Sequence, residues 1–471
     1  MYEPLFRGLL FPLYEGLLRR RRTLAHLREY ERTQWLPREQ VDALQWQRLS
    51  RLVAYCWNEV PYYRRRWGAA GVGSPADIRG VDDYARLPVL TKQDVRDHFD
   101  DLLARPARGS MLFKTTGGST GEPLRIGYTR ENYERRNAVM HRGYAWAGAP
   151  LGRRALHLWG EPPGVGIKAR LQHAAFNRRV LDVFRMRDDN LVAYADAIDA
   201  HRPRVIVAYV ASAVRLAQWL IASGRRVHVP DAVLCAAEPL RSHQRALIEE
   251  AFGCPVFNTY GCREFALIAS ECERRQGLHV NADHLRVELG DPATPAGEAG
   301  PREVLVTDLF NYGMPLMRYA NGDLATASAS DAACPCGRGL PVLASVDGRR
   351  MDALRTPEGH YVGEYLEYLM FTTPGVRRFQ AVQERIDRID VAVVGSEELA
   401  DDALDQVRRR MVDAFGSSVE LAFARTGELP LTPTGKLRVA VSKLAHCVWM
   451  TLLHAVEAVR GLGLEAAVAL A

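Results

Sequence analysis

Lysine is almost missing from this 471-residue chain. Of 62 basic residues only Lys92, Lys114, Lys168, Lys436 and Lys443 are lysines, and arginine carries the rest of the positive charge. Where arginine is the default cation, each lysine marks a place where a compact ammonium on a flexible stem has a reason to stand. Cysteine is sparse too, eight in all, which excludes a disulfide-stapled scaffold. No cleavable signal peptide is recognisable, so a reducing cytoplasm is the expected setting, with thiols free to bind metal. The N-terminal helical segment is too short and too charged to span a bilayer. Internal repeats and low-complexity tracts are absent. The net charge of +6 is diffuse arginine without interleaved aromatics, which excludes a nucleic-acid-binding stripe.

What is there is an ordinary globular balance, 47% apolar and 25% charged, in a length that predicts two or three domains. From Met1 to about Trp67 the chain reads helical. Leu5, Leu9, Leu10, Tyr14 and Leu17 fall near a 3.6-residue period ahead of the run Arg19-Arg20-Arg21-Arg22. Such a segment with a basic end suits an anionic membrane surface. Packing on the body of the protein is the favoured reading, because Glu3 and Glu15 interrupt the pattern.

Short apolar runs then alternate with helical patterns. Ala155–Trp159, Val205–Val210, Ala232–Ala236 and Pro255–Asn258 read as strands, with helices over Ala211–Ala222 and Gln244–Phe252. Near-continuous apolar strands alternating with helices predict an α/β fold with a mostly parallel sheet covered on both faces. Glu303–Thr307 reads as a further strand. Ligands in such sheets sit beyond the carboxyl ends of the strands, which points to Ala237-Glu238-Pro239 and to Thr259-Tyr260-Gly261-Cys262-Arg263-Glu264. Near Asp347 the texture changes to a smaller rhythm, with strands at Ile389–Val394 and Val419–Ala424 around a helix at Leu404–Phe415. The predicted organisation is a large domain over 1–347, a small one over 348–441 and a helical tail over 442–471.

The stretch Thr115-Thr116-Gly117-Gly118-Ser119-Thr120-Gly121 packs hydroxyls and glycines together. A surface linker has this composition. So does a loop whose N–H groups and hydroxyls converge on a phosphate chain, with glycine permitting close approach. The spacing is neither a Walker loop nor GxGxxG.

Taken in order, these motifs resemble those of the adenylate-forming enzymes, and most of all the branch containing phenylacetate–CoA ligase and CapK-like proteins. The Gly/Ser/Thr loop resembles the family's phosphate loop, with Leu124 where many members carry lysine. Tyr260-Gly261-Cys262-Arg263-Glu264 resembles the Tyr-Gly-x-Thr/Ser-Glu motif, with Arg263 in place of the hydroxyl residue. Arg318-Tyr319-x-x-Gly322-Asp323 resembles the ribose motif, and Gly348-Arg349 with Met351-Asp352 the hinge motif. Leu431-Thr432-Pro433-Thr434-Gly435-Lys436 resembles the C-terminal catalytic loop. Segments Asn58–Tyr63 and Leu87–Lys92 look like the branch's entry segments.

The resemblance implies a large adenylate-forming domain and a small, mobile α+β lid. It implies that residues 115–121 hold the phosphates of ATP, Tyr260 stacks on adenine and Asn258 lies near its amino edge. Ala237, Glu238, Pro239, Thr259 and Gly261 line the nucleotide, Asp323 binds the ribose hydroxyls and Arg349 approaches ribose or phosphates. Glu264 would bind Mg²⁺, Arg263 would meet the α-phosphate, and Lys436 would close on the carboxylate and α-phosphate. The implied reaction makes an acyl-adenylate from a carboxylic acid and ATP, with AMP released on transfer to an acceptor. Coenzyme A is the family default; an amine or a carrier-protein thiol is open as well. Trp159, Tyr209 and Ala236 are expected at the acid pocket, and the two aromatic rings lean towards a flat acid. A reading of another class stays open: a nucleotide-binding member without catalysis, serving a polysaccharide or biosynthetic complex.

Cys272, His279, Cys334 and Cys336 supply three thiols and an imidazole, a frequent structural zinc set. The spacing matches no ordinary zinc finger; relatives of this branch often carry such a set holding zinc. Cys56, Cys235, Cys254, Cys262 and Cys447 read as packed thiols. The apolar tail Ala445–Ala471 has three open roles: a packing helix, a homodimer contact or a membrane-surface element.

Overall fold

The computed structural model describes residues 2–115, 124–160, 166–292, 301–328, 333–349, 373–400, 402–430 and 437–444, with 354, 356, 357, 362, 366, 369 and 370. The chain divides into two compact units. One comprises Met1–Arg350 with Pro430–Leu437, the other Met351–Leu429 and Arg438–Ala471.

In the first unit a two-stranded hairpin, β1 (Leu112–Thr115) and β2 (Arg125–Tyr128), precedes an eleven-stranded sheet. The sheet begins with β3 (Ala155–Trp159), β4 (Arg178–Asp182), β5 (Val205–Tyr209), β6 (Ala232–Ala236) and β7 (Val256–Cys262). These five pair in parallel in the order β4-β3-β5-β6-β7. Helices Ile167–Ala175, Leu191–His201, Val210–Ser223 and Ser242–Phe252 make the crossovers. The helices over 210–223 and 242–252 stop at Gly224 and Gly253, whose φ values of 64° and 65° suit glycine without strain. Parallel pairing follows from the sequence: β5 and β6 are apolar on both faces and lie buried between helix layers.

Past β7 the sheet changes character. Strands β8 (Ala266–Glu271), β9 (Leu278–Val280), β10 (Leu285–Pro292), β11 (Arg302–Asp308), β12 (Tyr319–Ala327) and β13 (Val342–Arg349) extend it in the order β7-β8-β9-β13-β12-β11-β10, every pair antiparallel. The parallel expectation therefore describes one half of a mixed sheet. Short connections such as Arg263–Phe265 leave no room for a crossover helix, so the chain returns beside itself.

A polar knot lies inside this unit. Arg142, on the helix Arg130–Trp146, donates to both carboxylate oxygens of Asp283 at 2.6 and 2.8 Å, to Asn281 Oδ1 at 2.7 Å and to Tyr30 O at 2.8 Å. All four residues are buried. The guanidinium joins the helix Thr23–Thr33, the helix 130–146 and the turn between β9 and β10.

The second unit holds the four-stranded sheet β16-β15-β14-β17, from β14 (Val376–Arg385), β15 (Arg388–Gly395), β16 (Glu420–Arg425) and β17 (Ala440–Ser442). Helix Ala403–Phe415 sends Leu404, Val407 and Met411 into a core with Phe379, Ile389, Val391 and Leu421. Among the described residues no helix is long and apolar enough to cross a membrane.

Candidate active site

Strand β7 ends where the sheet turns from parallel to antiparallel pairing, and the predicted motif Tyr260–Glu264 occupies that junction. Gly261 is required there by close approach: a Cβ at this position would lie 2.1 Å from Ala266 O. The Tyr260 ring is buried, and its phenol donates to Asp323 Oδ2 at 2.8 Å. Asn321 Nδ2 donates to the phenol at 2.7 Å and to Asp323 Oδ2 at 2.8 Å, and Asn321 Oδ1 accepts from Asp323 N at 3.0 Å. Burial, then the Asp323 carboxylate, raises the Tyr260 phenol well above its ordinary pKa, so it remains a donor.

Glu264 enters the same group of side chains, with Tyr319 Oη 3.5 Å from its Oε1. Cys262 lies between the carboxylates of Glu264 and Asp323; burial first, and those charges next, raise its thiol well above the usual range. A thiol so held is protonated and packs, in line with the reading of Cys262 as an ordinary packed cysteine.

Arg263 points away from this cluster. Its Nη1 donates to Thr115 O at 2.9 Å, and its own carbonyl accepts from Arg136 Nη2 at 2.6 Å. It fastens the turn after β7 to the end of β1, where the Gly/Ser/Thr loop begins. Residues 116–121 of that loop lie outside the described residues, as do Lys436 and the hinge candidates Met351 and Asp352. Lys114, one residue before Thr115, places its ammonium over the rings of Tyr128 and Tyr133 at 5.7 and 5.5 Å. Its pKa is lowered by partial burial of the ammonium, then by repulsion from Arg136 and Arg263. Arg136 is itself buried, with Nη1 lacking a hydrogen-bond partner. Lys114, Arg136 and Arg263 thus gather positive charge where the phosphate loop starts.

Trp159, Tyr209, Ala236, Ala237 and Glu238 sit at the carboxyl ends of parallel strands, Asn258 and Thr259 within β7, and Arg349 on antiparallel β13. Trp159 closes β3 and Tyr209 closes β5, with ring centroids 4.3 Å apart; Ala236 pairs with Tyr209 in register. Ala237 follows in a left-handed conformation, φ 69°, which turns the chain at the strand end. Glu238 accepts from Ala211 N at 2.7 Å and so caps the helix 210–223. Pro239 lies beside Gly348, whose added Cβ would stand 3.5 Å from it. Asn258 is buried with its N–H on Glu271, and Thr259 donates to Cys235 O at 2.9 Å. Arg349 pairs with Asp323 in the β12–β13 register; its side chain is outside the described residues.

Sequence reasoning missed Lys92 as a member of this group. Leu90 bridges to Tyr319, and Thr91 caps the short helix Lys92–Asp97. Together they bring Lys92 Nζ to 3.3 Å from where a Gly322 Cβ would stand, next to Asp323. The scarcity of lysine and the entry segment Leu87–Lys92 were signals that pointed to it, but neither linked it to Asp323.

Away from the nucleotide motifs, Cys272, His279, Cys334 and Cys336 converge, all four ligand atoms within 4.8 Å of one another. The Cys272 and Cys334 sulfurs are 3.8 Å apart, and Cys336 Sγ is 3.3 Å from His279 Nε2. A zinc tetrahedron with Zn–S bonds of about 2.3 Å has edges of roughly 3.8 Å. His279 Nδ1 lies 3.2 Å from Leu340 O, which leaves Nε2 free to ligate. The donor set fits a closed structural zinc site.

The CapK C-terminal domain family model matches residues 354–443. Over 441 residues the chain is 31% identical to a phenylacetate–coenzyme A ligase of Thermus thermophilus, an alignment covering 86% of this chain and 96% of that one. A phenylacetate–coenzyme A ligase of Escherichia coli is 28% identical, over 61% and 67% of the two chains. Protein CapK of Staphylococcus aureus is 24% identical, over 77% and 81%. Among solved structures, a 2-hydroxyisobutyryl-CoA ligase in the postadenylation state superposes with a TM-score of 0.70 at 20% identity, covering 91% and 94%, a likeness of fold.

Proposed function

The chain belongs to the phenylacetate–CoA ligase and CapK-like branch of the adenylate-forming enzymes, and on that premise we propose that it activates a carboxylic acid with ATP and passes the acyl group to coenzyme A. The observation that carries the proposal is the junction of Tyr260, Asn321, Asp323 and Glu264 beside the change of strand direction. One buried donor pair orients a carboxylate, and a second carboxylate stands in the same group.

Asp323 has one oxygen engaged by Tyr260 and Asn321, so its position is set before ligand arrives, and a carboxylate suits the vicinal diol of ribose. The adenine ring lies against Tyr260, with Asn258 at its amino edge. The loop 115–121 takes the phosphates, and Lys114, Arg136 and Arg263 add positive charge at its base. Arg263 contributes through Thr115, by fixing where the loop starts. Its departure from the usual hydroxyl residue is then compatible with activity. Glu264 would hold Mg²⁺, which supplies charge neutralisation to the phosphates when bound. The acid enters between Trp159, Tyr209 and Ala236, where two rings favour a flat carboxylic acid.

The carboxylate oxygen attacks the α-phosphorus and pyrophosphate leaves. Lys436, a mobile point charge, faces the carboxylate and α-phosphate as charge develops there. The small domain expected over 348–441 would act as the lid, with its hinge near Asp352, before the thiol of the acceptor attacks the acyl carbon and AMP leaves. Cys272, His279, Cys334 and Cys336 would hold a structural zinc ion. Acid-dependent exchange of labelled pyrophosphate into ATP tests the adenylation step, and thioester formation with coenzyme A tests the acceptor.

A further inference from the structure

The N-terminal segment is helical over Tyr2–Leu5, Phe6–Leu10 and Leu13–Leu18, in α and then π turns. One face is docked. Phe6 and Phe11 are buried against Phe176, at ring-centroid distances of 5.2 and 5.7 Å. The Tyr2 hydroxyl donates to Ala175 O at 2.6 Å. Glu15 is buried, accepts from Thr23 Oγ1 at 2.7 Å and pairs with Arg21 at 3.3 Å. The two acids that interrupt the sequence pattern thus serve the docked side, since Glu3 also reaches back to Arg153 at 3.2 Å.

The opposite face carries a row of aliphatic side chains in water. Leu5, Leu9, Leu13 and Leu17 follow one another at four-residue steps, flanked by Leu10 and Leu18, with exposure from 38% at Leu10 to 77% at Leu18. Soluble monomers rarely leave so long a continuous apolar row uncovered, and such rows mark an interaction site. The leucine row contains no aromatic anchor, since Tyr2 is turned to the docked side by its bond to Ala175 O, and its backbone polar groups are largely satisfied within the helix. A protein interface core would be expected to be richer in aromatics and side-chain hydrogen bonds. Its rim is cationic: Arg7, Arg19, Arg20 and Arg22 are exposed, while Glu15 is buried and Glu3 is paired.

We propose that this face lies on an anionic lipid surface, with the leucine row at the acyl boundary and the arginines among the headgroups. The segment is held by its other face to the body of the enzyme, so lying there would place the whole chain at the membrane without a spanning helix. Aliphatic burial and headgroup attraction act together in such helices, so the binding should need both anionic lipid and the leucines.

The test is co-sedimentation of the full chain with vesicles of phosphatidylcholine alone, and of phosphatidylcholine with about a third phosphatidylglycerol. Wild type should partition at least tenfold more strongly onto the anionic vesicles, and less so at high salt. Leu9→Glu/Leu13→Glu/Leu17→Glu should remove that binding while the thermal melting point and pyrophosphate exchange stay as in wild type. Arg19→Gln/Arg20→Gln/Arg22→Gln should weaken it severalfold. Equal binding by the leucine variant would overturn the proposal, as would no binding of wild type. So would self-association of wild type, abolished in the leucine variant, without vesicle binding.

Discussion

The phenol of Tyr260 and the carboxylate of Asp323, 63 positions apart in the chain, meet in a 2.8 Å hydrogen bond. Asn321 donates to both partners. These buried donors fix the position of the Asp323 carboxylate. Tyr260→Phe removes one charge-assisted bond, about 1.5 kcal/mol or more, and should raise the KM for ATP roughly tenfold with little change in kcat. Asp323→Ala removes the acceptor for the diol and strands two buried donors. It should abolish measurable AMP binding in calorimetry.

The lowered pKa of Lys114 gives ATP affinity a pH dependence of defined sign. The ammonium is present below its pKa and lost above it, and that pKa lies below the ordinary lysine value of about 10.4. The KM for ATP should be flat at low pH and rise with pH before free lysine would titrate. Lys114→Arg should keep the affinity and delete the rising limb. Lys114→Met should raise KM severalfold at every pH. A limb of unchanged position in Lys114→Met would assign the titration to another group.

The four-ligand cluster predicts one zinc per chain by elemental analysis. Cys336→Ser should lose most of that metal and lower the melting temperature by several degrees, since a closed site contributes to folding. Below the melting transition kcat should stay within about twofold, because a closed site leaves no coordination position for substrate.

Arg142 and Asp283 form a buried ion pair at 2.6 Å. Arg142→Met leaves that carboxylate, Asn281 and Tyr30 O without their donor, and should destabilise the first unit by about 3–5 kcal/mol. Urea denaturation measures it. Asp283→Asn, which keeps an acceptor oxygen, should cost less.

The parallel half of the sheet was legible in the sequence because each strand is a continuous apolar run between helices. Ala155–Trp159 and Ala232–Ala236 match their observed bounds. The antiparallel half was not. Of its strands only Glu303–Thr307 was read, since β9 and β12 are short or carry polar residues such as His279, Asn321 and Asp323 at functional positions. Tyr260, Glu264 and Asp323 could be named from motif resemblance, but the bonds Tyr260–Asp323 and Tyr319–Glu264 join residues far apart in the chain and arise only in the folded sheet. Lys92 is the clearest case: its neighbours Gly322 and Asp323 lie far along the chain, and only the bridge from Leu90 to Tyr319 brings them together. The motif position of Arg263 implies a phosphate contact, and its place in the sequence does not reveal the bond that its side chain donates to the Thr115 carbonyl, 148 positions away. Spacing alone left the Cys/His set open; its convergence depends on the turns that place residues 334–336 beside His279.

The measurement that tests the central claim most directly is exchange of labelled pyrophosphate into ATP, run over a panel of aryl and aliphatic carboxylic acids with wild type and Lys436→Ala. The account predicts exchange that requires one class of acid and falls by at least a hundredfold in the variant, with ATP binding retained. Tight ATP binding with no exchange for any acid would contradict it and make the chain a nucleotide-binding protein without adenylating activity.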